Sequence, residues 1–167
     1  MTAPEHRDAA PHDRQGPGSV EAIWIRAESN GTPQPLERAQ LQAGRGIVGD
    51  RYWSDAGGPG HPEEGRAVTL IEAEAIEGLS ADTGIEIGVE ESGRNVVTRG
   101  IALNDLVGRR FRVGSVECVG VMQCDPCRTF EKRTEPGVLK GMVDRGGLRA
   151  DIVSGGEIAV GDEVAAL

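Results

Sequence analysis

Two cysteines, Cys124 and Cys127, stand three positions apart in the stretch MQCDPCRTFEK. Such a pair can be half of a metal site, a redox couple, or a loop that presents one reactive thiol. A zinc site needs four ligands, commonly a second C-x-x-C or a histidine pair. No second pair exists here, and the histidines, His6, His12 and His61, are scattered. A thioredoxin-like couple belongs in a βαβ setting, which this chain does not offer. What remains is a presented thiol beside Arg128, in a loop or at the start of a helix. Both neighbours favour the thiolate, the nucleophilic and metal-binding form. The residue types alone leave an inert loop cysteine open at Cys127. Cys118 differs: in SVECVGVMQ it shares one period-two face with Val116 and Met122, and reads as a small buried apolar residue.

The basic residues are nearly all arginine and gather at Arg109, Arg110 and Arg112, at Arg128, Lys132 and Arg133, and at Arg145 and Arg149. Arginine forms forked hydrogen bonds with carboxylate and phosphate, although a solvated surface would show the same residues. GRGIVGDRYW is either hairpin punctuation or a backbone surface that approaches an anionic ligand, helped by Arg45 and Arg51. RGGLRA carries the same two readings. The net charge of −9 argues against general binding to nucleic acid or anionic membrane. No signal-peptide pattern opens the chain, and no run of about 18 apolar residues could span a bilayer. A cytoplasmic protein with reduced thiols is expected.

The elements that must position these residues follow from composition and period. The length of 167 residues suits one domain, with or without a tail. Residues 1–18 are polar and rich in Pro and Gly, and read as a disordered arm before a domain over 19–167. Aromatics are only 3%, so the core must be aliphatic, and 25 glycines imply tight turns between many short strands. SVEAIWIRAE reads as a strand through Val20, Ile23 and Ile25. QPLERAQLQAGRGIVGDRYW is an extended segment with glycine turns at Gly46 and Gly49, and SDAGGPGHPEEG is a loop. RAVTLI is a strand, and Ala73, Ile76 and Leu79 then recur at helical spacing up to a stop at Gly84. RNVVTRGI is a strand and ALNDLVG a short helical turn. RRFRVGSVECVGVMQ is a hairpin turning at VGS. EPGVLKGMVDRGGL is a short helix. RADIVSGGEIAVGDEVAAL supplies two last strands around SGG and a turn at VGD. About seven short strands, one clear helix and one or two short ones predict a mainly β fold, a closed barrel with peripheral helices.

Read in order, GIVGDRYW, RAVTLIEAEAIEGL, RNVVTRGIALNDLVGRRFRVGSVECVG, CDPC and VDRGGLRADIVSGGEIAVGDEV resemble the MOSC domain, named for the C-terminal domain of molybdenum cofactor sulfurase. The resemblance runs over about Ser19 to Leu167. It implies a barrel like that inserted in pyruvate kinase, and an essential cysteine that corresponds to Cys127. It also implies a site for molybdenum cofactor (molybdopterin), for which Arg45, Asp50, Arg51, Arg94, Asn95, Arg128 and Arg149 are the candidates. Many members have Gly-Glu-Asn where this chain has GRN. Arg94 therefore replaces an acid, which favours an anionic ligand or marks a subfamily. The segment around His61 departs from the family's His-Gly-Gly, which leaves His61 without a matched role.

The resemblance carries three functional expectations. In the first, Cys127 accepts sulfur as a persulfide and delivers it to a molybdenum or metal-sulfur acceptor. The pyridoxal-phosphate domain of the fused sulfurases is absent, so the donor, a cysteine desulfurase or similar enzyme, acts in trans. In the second, Cys127 is the molybdenum ligand of a reductase of N-hydroxylated compounds, as in the related amidoxime-reducing enzymes. Electrons would then come from a partner, since no flavin, haem or iron–sulfur motif is visible. In the third, the domain only binds the cofactor.

Overall fold

The computed structural model describes residues 17–28, 31–55 and 65–167. Residues 1–16 of the arm expected over 1–18, His61 and most of the SDAGGPGHPEEG loop lie outside the described residues. β1 (Gly18–Ile25) opens the fold. β2 (Gln34–Leu36) and β3 (Arg38–Gln42) follow, then β4 (Gly46–Ile47) and α1 (Arg51–Asp55). Next come β5 (Val68–Glu72), α2 (Ala73–Thr83) and β6 (Val96–Arg99). β7 (Arg110–Val113) and β8 (Val116–Gln123) form the hairpin expected at VGS. After α3 (Arg128–Arg133) and α4 (Val138–Gly141), β9 (Leu148–Ser154), β10 (Gly156–Ala159) and β11 (Glu163–Ala166) end the chain.

Seven strands close into a barrel in the order β11-β7-β8-β9-β5-β6-β1, with β1 returning to β11 through Gly18↔Val164. β2 hangs on β1, and β10, β3 and β4 make a small separate sheet. The closed mainly β architecture expected from the sequence is therefore present. Closure satisfies every strand edge of the barrel without a partner chain. RADIVSGGEIAVGDEVAAL yields three strands rather than two, because the VGD turn lets the last residues return to β1 and close the barrel.

The pattern of apolar residues explains the layers. Val20, Ile23, Leu70, Val96, Phe111 and Leu148 fill the barrel interior. Ile71 and Val97, the next residues on β5 and β6, point outward and are buried under Ile76, Leu79, Phe130, Val138 and Met142 of the helices. Successive strand residues face opposite sides, so a strand covered on both faces reads as one apolar run. β5 and β6 pair in parallel with α2 as their crossover, which antiparallel hairpins do not require. α2 ends where the sequence signalled: Gly84, at φ 76°, caps it and donates its N–H to Ser80 O.

Two of the register shifts in the barrel bear on the expected strand faces. One lies between Val20 and Ala22, and accounts for the three-residue step from Val20 to Ile23. The other lies between Gly120 and Met122 on β8. It corrects the expected face of Val116, Cys118 and Met122: the first two are fully buried, while Met122 is 47% exposed. An extra residue on one strand reverses the facing of everything beyond it. Among the described residues no helix is long and apolar enough to cross a membrane.

Candidate functional site

The CDPC loop leaves the end of β8 and is fixed from below by Gly146 and Gly147. The Cys124 N–H donates to Gly147 O at 2.8 Å. A Cβ on Gly146 would lie 2.1 Å from Cys124 O, and one on Gly147 2.1 Å from Leu70 O. Gly147 also holds φ 111°. The two glycines thus let one strand of backbone press against both the loop and β5. This is the structural reason for RGG.

The loop treats its two cysteines differently. Cys124 is buried, with the Arg149 guanidinium near its sulfur. That proximity raises the pKa of Arg149, against the opposing effect of partial burial. Cys127 is exposed and occupies the N-cap of α3, with no hydrogen bond from its own side chain. Its carbonyl accepts the Glu131 N–H at 3.1 Å. Phe130, fully buried, anchors α3 to the helical layer and so fixes where Cys127 points out. Cys118 is fully buried in the barrel, and burial pushes its thiol up to about 12. All three cysteines are free.

Above the loop four arginines converge. Arg133 lies close enough to Arg51 and Arg94 that their charges lower its pKa, after burial, while the Cys127 side chain raises it. Arg26 is lowered in the same way by burial, then by Arg133 and Arg51. Arg51 donates from Nη2 to Tyr52 Oη at 2.7 Å. Arg94 donates from Nε to Gly146 O at 2.8 Å and lies over the Phe130 ring at 5.8 Å. Its Nη2 is buried with no partner among the described residues, as is Trp24 Nε1. Trp24 and Arg94 line one small polar cavity together with Arg26 and Asp50. A buried donor without an acceptor costs about 1–3 kcal/mol, so two in one cavity point to an acceptor that the protein itself does not supply.

Asp50 and Asn95 form the floor of this cluster. Asp50 is buried, and Oδ1 accepts from the Arg26 N–H at 3.1 Å and Asn95 Nδ2 at 3.5 Å. Its Oδ2 accepts from the Tyr52 N–H at 3.4 Å. Burial raises its pKa, and those hydrogen bonds and the charge of Arg51 oppose the rise. Asn95 accepts from the Thr69 N–H and hydroxyl at 3.2 and 3.1 Å, and donates to Trp24 O at 3.1 Å. Its side chain therefore ties β1 to β5 at the barrel mouth.

The candidate residues thus separate. Arg51 and Arg94 line one cavity with Asp50 and Asn95, and both lie near Arg133, the arginine that is near Cys127. Arg149 goes to Cys124. Arg128 is exposed at the first position of α3. Arg45 stacks on the Trp53 ring at 3.9 Å and donates to Trp53 O at 3.3 Å, fastening α1 to the β3–β4 hairpin. Arg26, Arg133 and Tyr52 join the cluster without having been among the candidates. Arg133 could have been found as part of a basic group on the helix that follows Cys127. Arg26 offered only a charge at the end of an apolar strand.

The MOSC domain signature matches residues 57–165. The chain belongs to the MOSC domain family, and its function is accordingly one related to molybdenum cofactor. The crystal structure of the YuaD protein from Bacillus subtilis is similar to this one with a TM-score of 0.75 at 17% identity, covering 89% of this chain and 94% of that one. YiiM from Geobacillus stearothermophilus gives 0.69 at 13% identity, over 90% of this chain and 75% of that one. YiiM from Escherichia coli gives 0.63 at 14%, over 89% and 69%. At such identities the likeness is one of fold. No curated protein matches the chain.

Proposed function

We propose that this domain is a sulfur carrier that serves molybdenum-cofactor chemistry in the cytoplasm. The observation that carries the reading is the contrast among the cysteines: Cys127 alone is exposed, and its sulfur shares the mouth of the site with Arg133. The Cys127 thiolate attacks the terminal sulfur of a persulfide on a donor protein, a cysteine desulfurase whose pyridoxal phosphate stays with the donor. The donor's S–S bond breaks, a new S–S bond forms on Cys127, and the donor leaves as its thiolate. No external oxidant is consumed, because the transferred sulfur keeps its oxidation state.

The residues present fit an anionic pterin. Arg26, Arg51, Arg94 and Arg133 would hold its phosphate, and the unpartnered Arg94 Nη2 and Trp24 Nε1 are donors ready for acceptors on it. When bound, molybdenum cofactor supplies a metal that takes terminal sulfur or binds a thiolate. Among the described residues no three His, Cys, Asp or Glu side chains converge, so a metal there would take one protein ligand, Cys127, and its remaining ligands from the cofactor. A second reading, a reductase of N-hydroxylated compounds with Cys127 as that ligand, is favoured by an open cleft of about 440 Å³ that includes Arg133.

The test is twofold. Protein treated with a cysteine desulfurase and L-cysteine should carry a mass increase of one sulfur at Cys127, absent from Cys127→Ser. Molybdenum content should be compared between wild type and Cys127→Ala, purified without oxygen from cells that make the cofactor. Absence of persulfide, together with metal lost in the variant, would replace the carrier reading with the reductase.

A further inference from the structure

The cleft that includes Arg133 holds both signs of charge. It is lined by Arg26, Gly31, Pro33, Glu90, Glu91 and Arg133. Among the described residues the guanidinium groups of Arg26 and Arg133 have no hydrogen-bond or ion-pair partner, and neither does the Glu90 carboxylate. Glu91 is already used: Oε2 accepts the Gly88 N–H at 2.6 Å. The Glu90 carboxylate occupies space that Gly88 leaves open, where a Cβ would lie 2.3 Å from Glu90 Oε1. Four charged groups therefore border one opening, two positive and two negative, and only Glu91 spends an oxygen on the backbone. Arg26 and Arg133 repel each other, which an incoming carboxylate would relieve. An anion alone would leave the carboxylate of Glu90 unanswered and close to it.

We propose that this cleft binds a small zwitterion, its carboxylate held by Arg26 and Arg133 and its protonated amine by Glu90. Arg133 is also near enough to Cys127 that this side chain raises its pKa. A thiol-bearing amino acid such as L-cysteine has the required groups. The inference concerns binding: Arg26 and Arg133 are shared with the proposed phosphate site, so zwitterion and pterin phosphate would occupy them in turn, and the proposal stands or falls separately from sulfur transfer.

The experiment is an amide NMR titration of the Cys127→Ser protein, which removes covalent chemistry at that position, with L-cysteine, 3-mercaptopropionate and cysteamine in reducing buffer. L-cysteine should shift signals around Glu90 and Arg133 and bind at least about tenfold more tightly than either half-ligand, the size of one lost charge contact. Glu90→Gln, shown by its own spectrum to be folded, should reduce L-cysteine to the affinity of 3-mercaptopropionate. Arg133→Gln should reduce it to that of cysteamine. Equal binding of L-cysteine and 3-mercaptopropionate, shifts confined to another region, or no binding of L-cysteine would each overturn the proposal.

Discussion

The outer wall of the barrel and its mouth use arginine in opposite ways. On the wall each arginine of a pair finds an acid: Arg110 meets Glu117 and Arg112 meets Glu163, at 2.7–2.8 Å, as Arg38 meets Glu157 on the small separate sheet. Arg99 lies between Glu21 and Glu77. At the mouth Arg26, Arg51, Arg94 and Arg133 gather, and among the described residues Arg26, Arg94 and Arg133 make no salt bridge to the nearby acids, Asp50 buried below them and Glu90 at the cleft. The chain is acidic overall, at −9, so acids were available to neutralise the mouth. Concentrated like charge lowers stability unless something outside the chain balances it. The wall is built for solubility and folding, and the mouth for an anion.

The largest effect separates the cysteines of the two regions. Cys127→Ser at the mouth should abolish persulfide formation and change Tm by no more than about 1–2 °C, as an exposed change typically does. Cys118→Ser in the barrel should do the reverse. It places a hydroxyl in a fully apolar site and should cost about 1–3 kcal/mol, with transfer retained. Thermal unfolding and intact-mass analysis measure both. Transfer retained in Cys127→Ser would remove the thiol from the function. Next in size is the support of the loop. Gly146→Ala pushes a methyl group into Cys124 O and should cost about 2–4 kcal/mol in chemical denaturation.

The arginines give a smaller contrast. Arg26→Gln with Arg133→Gln should weaken binding of a pterin phosphate by about tenfold or more. The same pair should raise Tm slightly at low salt, and the rise should vanish as salt screens the repulsion. Arg112→Gln on the wall should leave binding unchanged and alter stability by less than about 1 kcal/mol, the usual value of an exposed pair. A stabilising effect of equal size from the wall substitution would erase the distinction between the two regions.

How much of this was legible in the sequence depends on how local each feature is. Glycine frequency and period-two runs were enough for a closed barrel. Ala73, Ile76 and Leu79 with Gly84 were enough for α2. The bulge that turns Met122 outward was hidden, because an extra strand residue leaves no mark in residue type. The CDPC spacing singled out a loop thiol, but not which neighbours it would have. Arg26 joins Arg133 only because the barrel closes and α3 folds over it, and no local pattern encodes that meeting. Asp50 and Asn95 could be chosen only as members of matched stretches. Their hydrogen bonds to Arg26, Tyr52, Thr69 and Trp24 tie strands together, a role that pairing across the sheet alone reveals.

The smallest expected effect is a difference in sign, and it compares one carboxylate from each region. Glu77 on the wall has its pKa lowered, first by its hydrogen bond with Arg99. A depressed carboxylate adds stability above its unfolded pKa of about 4.3, and that stability is lost as pH falls through the folded value. Asp50 at the mouth has its pKa raised by burial. Its contribution is fully present below its unfolded pKa of about 3.9, and is lost as pH rises through the folded value. Tm of wild type minus that of Glu77→Gln should therefore shrink on acidification below about pH 4.3, and more weakly in high salt because the pair is exposed. Tm of wild type minus that of Asp50→Asn should instead fall as pH rises from about 4 toward neutrality. Taking each variant against wild type at the same pH cancels the other carboxylates. Slopes of the same sign would mean that the charge of Asp50 is stabilised rather than strained by its surroundings. The arginines above it would then be balanced from within, and the mouth would need no outside anion.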